Sequence, residues 1–268
     1  MIRPACPADR PALEKLYRSC FSESAAYTAL AFDHLFCRAD ILVFAADGAP
    51  RSMCFLLPFL FRHGRCAVRA QYLYAACTEE AYRGQGLMNE ILLAADSWCR
   101  DADRAFTFLV PASESLFSYS GAHGYDAVFE RAKVSPGVPQ GMAGETPGLS
   151  VLRRLRQQYL ETDGCLVQSG WSMAFIAADA AAAGGVLRGM QLPHGMGYAV
   201  QYGSVVKELC CDREDLSAAA GLLKKTGAQT IYSSPFLSDG ERVPYAMAKT
   251  PDGTPPLFRE GYCNLLFD

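Results

Sequence analysis

The sequence predicts an α+β fold with a mixed sheet, built twice in tandem. Three observations carry that expectation. The hydrophobic period switches repeatedly between 2 and 3.6 along the chain. A Pro/Gly-rich stretch, 136–148, divides the 268 residues near their middle, and a chain of this length suggests two domains of about 150 residues. The order of elements after that stretch repeats the order before it.

In the first half, residues 1–135, Ile2 to Ala5 reads as a short strand, and Asp9 is placed to cap a helix reaching Cys20 with Leu13, Leu16 and Tyr17 on one face. A second helix spans Ala25 to Phe36. Ile41 to Ala46 is a strand that turns at Asp47-Gly48 and resumes at Arg51. Strands over Met53–Arg62 and Cys66–Thr78 meet at His63-Gly64. Leu87, Ile91, Ala95 and Trp98 then recur at helical spacing, and the apolar strand Ala105–Val110 follows. Ser113 opens a short helix that Gly124 closes, before a strand over Tyr125–Val134.

Residues 136–148 carry three prolines and four glycines and read as a linker. The second half, 149–268, starts again with helices at Leu149–Leu160 and Trp171–Ala183. Strands at Val186–Gln191, Gly197–Tyr202 and Val205–Cys211 precede a helix over Asp212–Lys225 and a strand over Gln229–Ser233.

Half the residues are apolar and the net charge is −3. This balance suits a globular protein with a sizeable core and offers no long-range attraction to nucleic acid. No apolar run approaches the ~20 residues a membrane helix needs, and the N-terminus lacks a signal-peptide pattern. A cytoplasmic protein without membrane association is expected. The eleven cysteines show no metal-ligand spacing and read as reduced, mostly buried thiols. Cys210 and Cys211 sit in a strand whose alternation points them apart, against a vicinal disulfide. His34, His63, His123 and His194 are scattered, so no metal is expected.

The informative segment runs from Tyr74 to Met88, where a strand feeds the turn Arg83-Gly84-Gln85-Gly86 and a helix starts at Leu87-Met88. Backbone N–H groups at a helix start have no intrahelical acceptor and, with the helix dipole, attract an anion. Glycines let that backbone approach a phosphate closely. A Gly-x-Gly turn alone is weak evidence. No Gly-Lys-Ser/Thr follows, against a P-loop; no third glycine follows, against a dinucleotide fold. A diphosphate held by main-chain amides survives.

This segment, with the order of elements over residues 1–134, resembles the GNAT superfamily of N-acetyltransferases, whose acetyl-coenzyme A loop reads Arg/Gln-x-x-Gly-x-Gly/Ala. Arg83 takes the first position and Gly86 the central glycine, while Met88 departs from the last small residue. The resemblance implies an acyl-CoA N-acyltransferase fold, with Ala76, Cys77 and Thr78 on the strand, Arg83 to Met88 in the turn, and Ser113 at the later helix contacting acetyl-CoA. It implies that Tyr72–Thr78 splays from Ala105–Val110 to open a slot for pantetheine and thioester, where amides near Cys77 and Thr78 face the acetyl carbonyl. Family members place a tyrosine acid four residues before the glycine of Gly124-Tyr125. That position holds Ser120, which can hold a water or the pantetheine; Tyr119 beside it is rotated by ~100° on a helix, so it serves as the acid only if a local helix irregularity presents it. Glu79 and Glu80 are candidates for the base; acids there also simply complement a helix dipole.

The matching turn of the second half, Asp212-Arg213-Glu214-Asp215-Leu216, has no glycine and three carboxylates, so this half is expected to bind no coenzyme A and to shape the acceptor cleft. The ending Glu260 to Asp268 resembles two-domain GNAT proteins related to the enhanced intracellular survival family, in which a C-terminal carboxylate, here Asp268, can enter the site. The expected activity is acetyl transfer from acetyl-CoA to a primary amine, on a small molecule or a peptide. A coenzyme A sensor without turnover and an enzyme for longer acyl-CoA are the alternatives.

Overall fold

The structure is a computed structural model and describes residues 1–254, 256 and 258–264. In chain order the first half contains β1 (Ile2–Pro4), α1 (Arg10–Phe21), α2 (Ala25–Leu35), β2 (Asp40–Ala46), β3 (Ala49–His63), β4 (Cys66–Thr78), α3 (Leu87–Asp101), β5 (Phe106–Leu109), α4 (Glu114–Ala122) and β6 (Asp126–Lys133). The second contains β7 (Met142–Gly144), α5 (Leu149–Tyr159), β8 (Leu166–Val167), α6 (Gly170–Ala182), β9 (Val186–Leu192), β10 (Gly195–Tyr202), β11 (Val205–Cys210), α7 (Leu216–Lys224), β12 (Thr230–Ser233) and β13 (Arg242–Lys249).

The strands form one continuous sheet ordered β1-β2-β3-β4-β5-β13-β6-β12-β11-β10-β9-β7, with β8 added to β3. The last strand of the second half, β13, lies between β5 and β6 of the first and pairs antiparallel with both. β6 in turn pairs with β12. The Pro/Gly stretch therefore separates the halves along the chain but not in the sheet. Inside it, Met142–Gly144 is not plain linker but an edge strand on β9.

Both faces of the first half's sheet are covered, which explains the nearly unbroken apolar runs of its strands. Leu42, Cys54 and Leu56 pack under α3. Their neighbours Val43, Met53, Phe55 and Leu57 face the opposite cluster with α1 and α2, as a period of 2 requires. That second cluster runs on without a break into Leu155 of α5 and Phe175 of α6, and the His34 and Phe175 rings lie 5.5 Å apart. Cys210 and Cys211 fall in different clusters, as alternation predicts, and all eleven cysteines are free thiols.

Several boundaries differ from expectation for local reasons. Asp9 does not cap α1; its carboxylate accepts the Cys6 N–H at 2.8 Å and pairs with Arg3 at 2.6 Å. Ser24 does cap α2, accepting the Tyr27 N–H. The helix expected from Asp212 begins at Leu216, because Arg213–Asp215 forms a 3₁₀ turn. Strands β8 and β13 had no expectation at all.

Candidate functional site

The turn between β4 and α3 is built to expose main chain. Gly84 and Gly86 take φ of +73° and +81°, a left-handed conformation that disfavours side chains. A Cβ at either would meet nothing within 4 Å, so the missing side chains leave open space beside the turn. Gly86 sits at the N-cap of α3 and offers no side-chain cap. The first-turn amides of Leu87, Met88 and Asn89 therefore precede any intrahelical acceptor, with the positive end of the helix dipole behind them. The turn is braced from below. The Arg83 Nε donates to the Thr78 carbonyl at 3.1 Å, Glu79 pairs with Arg51 at 2.7 Å, and the Tyr82 hydroxyl donates to Asp47 at 3.0 Å.

A cavity of about 620 Å³ lies over this turn, lined by Thr78, Arg83, Gly84, Gly86, Met88 and Asn89 among others. The open space at the glycines and the uncapped amides fit a diphosphate. Met88 does not block it: its side chain packs into the cluster under α3 and leaves its amide with the first turn.

The expected splay is present. β4 and β5 pair in parallel only from Ala70↔Phe106 to Tyr72↔Phe108, after which β4 continues six residues to Thr78 while β5 ends at Leu109. A bulge adds to the opening. Ala75 has φ +52°, and the register against β3 shifts between Tyr74 and Cys77. Tyr72, Tyr74, Ala75 and Cys77 consequently all face the α1/α2 side, where strict alternation would have turned Ala75 and Cys77 away.

A second cavity of about 590 Å³ fills the splay, with Tyr74, Ala75, Ala76, Val110, Tyr119 and Ser120 in its walls. Phe21, Ala76, Met88, Leu116 and Tyr119 line both cavities, which join there. In α4, Ser120 is buried and Tyr119 is 41% exposed, its ring 4.3 Å from that of His123. The helix is regular, yet both residues reach the slot. Partial burial raises the Tyr119 phenol above its ordinary value, so it keeps its proton at neutral pH.

The far end of the slot belongs to both halves. Tyr27 on α2 and Tyr202 on β10 donate to the two oxygens of Asp179 on α6, at 2.6 and 2.7 Å. Glu23 and Lys207 line the same end. The Tyr17 and Tyr74 hydroxyls lie 2.8 Å apart, and burial pushes Tyr17 up to about 12. Tyr27, Tyr202 and Asp179 were not found from sequence; Tyr17 was placed only on a helix face and Tyr74 only along the slot strand. One signal existed, since Asp179 is the single charged residue of α6.

Other expected residues are placed elsewhere. Ser113 caps α4, accepting the Leu116 N–H at 3.3 Å, and lines neither cavity. Glu80 is exposed in the turn before α3 and also lies outside both, because the 3₁₀ turn Glu80–Tyr82 directs it to solvent. Gln85 bonds back to the Ala81 carbonyl at 3.3 Å. Asp268 is outside the described residues. Among those described, no group of three or more His, Cys, Asp or Glu is arranged to hold a metal, and no helix is long and apolar enough to cross a membrane.

No protein-family model matches the sequence, and no curated protein is similar to it. Solved structures are similar in fold. A probable N-acyltransferase from Enterococcus faecalis V583 superposes with a TM-score of 0.73 at 15% identity, over 94% of this chain and 72% of that one. A GCN5-related N-acetyltransferase from Anabaena variabilis gives 0.70 at 12% identity, over 94% and 73%. Eis1 from Mycobacterium abscessus gives 0.67 at 10% identity, over 94% and 74%. The chain thus has the mixed α/β fold of the GCN5-related N-acetyltransferases.

Proposed function

We propose that the protein is an acetyl-CoA-dependent N-acetyltransferase acting on a primary amine of a small molecule or peptide. The observation that carries this is the junction of two cavities at Phe21, Ala76, Met88, Leu116 and Tyr119, one over an uncapped glycine turn and one in a split sheet. Residues of the turn, Arg83 to Met88, take the diphosphate through main-chain amides. Ala76, Cys77 and Thr78 flank the thioester, and strand amides freed by the splay stabilise the developing oxyanion. The amine attacks the thioester carbon directly within the ternary complex.

Tyr119, at the junction and protonated, gives its proton to the departing thiolate; Ser120 is buried beside it and helps to hold that end of the donor. The acceptor enters from the end bearing Glu23, Tyr27, Asp179 and Tyr202, where a carboxylate framed by two phenols attracts a cationic amine before it gives up its proton. Those acids, inside the cavity, replace Glu80 as acceptors of the amine proton. Eleven free thiols suit a reducing compartment such as the cytoplasm.

Calorimetry with acetyl-CoA, followed by a thiol-release assay over an amine panel, tests this. Micromolar binding and release of coenzyme A with one class of amine is expected. Failure to bind acetyl-CoA overturns the assignment of the turn; binding with no turnover on any amine overturns the enzymatic role.

A further inference from the structure

Two thiols meet where the nucleotide cavity reaches the end of α1. Cys20, in the last turn of α1, and Cys77, on β4 just past the bulge, both line that cavity. The Cys20 sulfur also lies 3.5 Å from the carbonyl oxygen of Thr78, the residue after Cys77. That carbonyl is the one the Arg83 Nε holds at 3.1 Å.

The two differ as an attacking and a resolving thiol do. Cys20 is partly exposed to solvent, whereas Cys77 is buried at 7% exposure. The neighbouring Cys77 thiol, with Ser19 and the Arg83 guanidinium, lowers the Cys20 thiol to about 6, while its neighbour Cys20 and burial push Cys77 well up. At neutral pH the accessible sulfur is the nucleophile and its neighbour the proton-bearing partner.

We infer that Cys20 and Cys77 are an oxidative modification site, a thiol pair that peroxide converts to a disulfide and that bound coenzyme shields. The Cys20 thiolate attacks one peroxide oxygen, the O–O bond breaks, and the departing hydroxide takes a proton to become water. The sulfenic acid so formed is attacked by the Cys77 sulfur, which loses its proton as the S–O bond breaks and a second water leaves. Two thiols lose two electrons and one peroxide gains them. The bond ties the end of α1 to the end of β4, pulls on the Thr78 carbonyl that holds Arg83, and so narrows the entry to the glycine turn. The disulfide itself does not depend on the acetyltransferase assignment; its effect on coenzyme does.

The test uses the reduced full chain without coenzyme, treated with stoichiometric hydrogen peroxide, quenched with N-ethylmaleimide and mapped by mass spectrometry. A Cys20–Cys77 cross-link forming about tenfold faster than oxidation of the exposed Cys37 is expected. Cys77→Ser should leave a sulfenic acid on Cys20 that dimedone traps, and Cys20→Ser should leave Cys77 unmodified. Oxidation of Cys20 no faster than that of Cys37, or pairing of Cys20 with any other cysteine, overturns the inference. The oxidised protein should bind acetyl-CoA about tenfold more weakly, reversed by dithiothreitol. Unchanged affinity overturns the gating of coenzyme, while failure of the reduced protein to bind acetyl-CoA strikes the proposed function and leaves the mapping to decide the thiol pair.

Discussion

The two halves each run a strand through a turn into a helix, and they finish that turn in opposite ways. In the first, Gly84 and Gly86 leave open space and unspent amides. In the second, the protein supplies its own anions. Asp212 accepts the Glu214 N–H at 3.0 Å, and the buried Asp215 accepts the His194 N–H at 3.0 Å and contacts its Nδ1 at 2.9 Å. The strands differ in the same sense. β11 pairs in parallel with β12 only through Val205 and Val206, then continues to Cys210, so it too diverges. Its divergence is filled by side chains. The fully buried Glu208 is bonded to Arg156, to the Tyr198 hydroxyl at 2.6 Å and to the Tyr262 hydroxyl at 2.7 Å, and the Asn264 amide reaches the Lys207 carbonyl. One topology can thus leave its turn and its slot open, or close both with its own side chains.

The largest break in that contrast comes from the plug. Arg156→Met removes the guanidinium and strands Glu208 as an uncompensated buried carboxylate, which costs about 3–5 kcal/mol. Denaturant unfolding should register a loss of that size; a loss under about 1 kcal/mol would show that the network is not what holds the second half closed.

Gly86→Glu attacks the other side of the comparison. A carboxylate at a position whose Cβ faces open space beside the turn opposes a diphosphate directly. Affinity for acetyl-CoA should fall by about 100-fold or more, roughly 2.7 kcal/mol. Gly86→Ala shares the strain of φ +81° without the charge and serves as the control. Equal loss in the two variants would assign the effect to backbone strain rather than to repulsion.

Tyr119→Phe sharpens the reading of the junction. Removing a general acid lowers kcat by about 100-fold while acetyl-CoA affinity stays within about twofold. The sign of its pH dependence follows from the raised phenol. An acid must be protonated to act, so the upward shift keeps it active to higher pH, and kcat should show no decline from Tyr119 deprotonation through the neutral and mildly alkaline range. A fall in kcat beginning near pH 8 that disappears in the phenylalanine variant would contradict the shift.

How much of this was legible in the sequence follows from how local each feature is. The glycine turn and the acid-rich turn of the second half were both legible because each lies within a few consecutive residues. The splay could be expected only through resemblance, since it depends on β4 outlasting β5. Asp179 escaped notice because its partner Tyr27 is 152 positions away; no spacing rule joins them. β13 escaped because Pro244 interrupts its short apolar run, and because its place between β5 and β6 is fixed by a sheet that spans both halves. Glu80 and Ser113 had plausible sequence positions, yet a 3₁₀ turn and a helix cap claimed them.

The smallest effect belongs to the turn that the second half closed for itself. Asp212→Ala removes one carboxylate that accepts the Glu214 N–H, a loss of about 1 kcal/mol, as for other capping residues. Acetyl-CoA stoichiometry should remain one per chain, because Glu214 and Asp215 still place carboxylates in that turn and no glycine opens the backbone there. Titration of this variant showing a second binding event would mean that the acids alone, rather than acids together with a glycine-free backbone, separate the two turns.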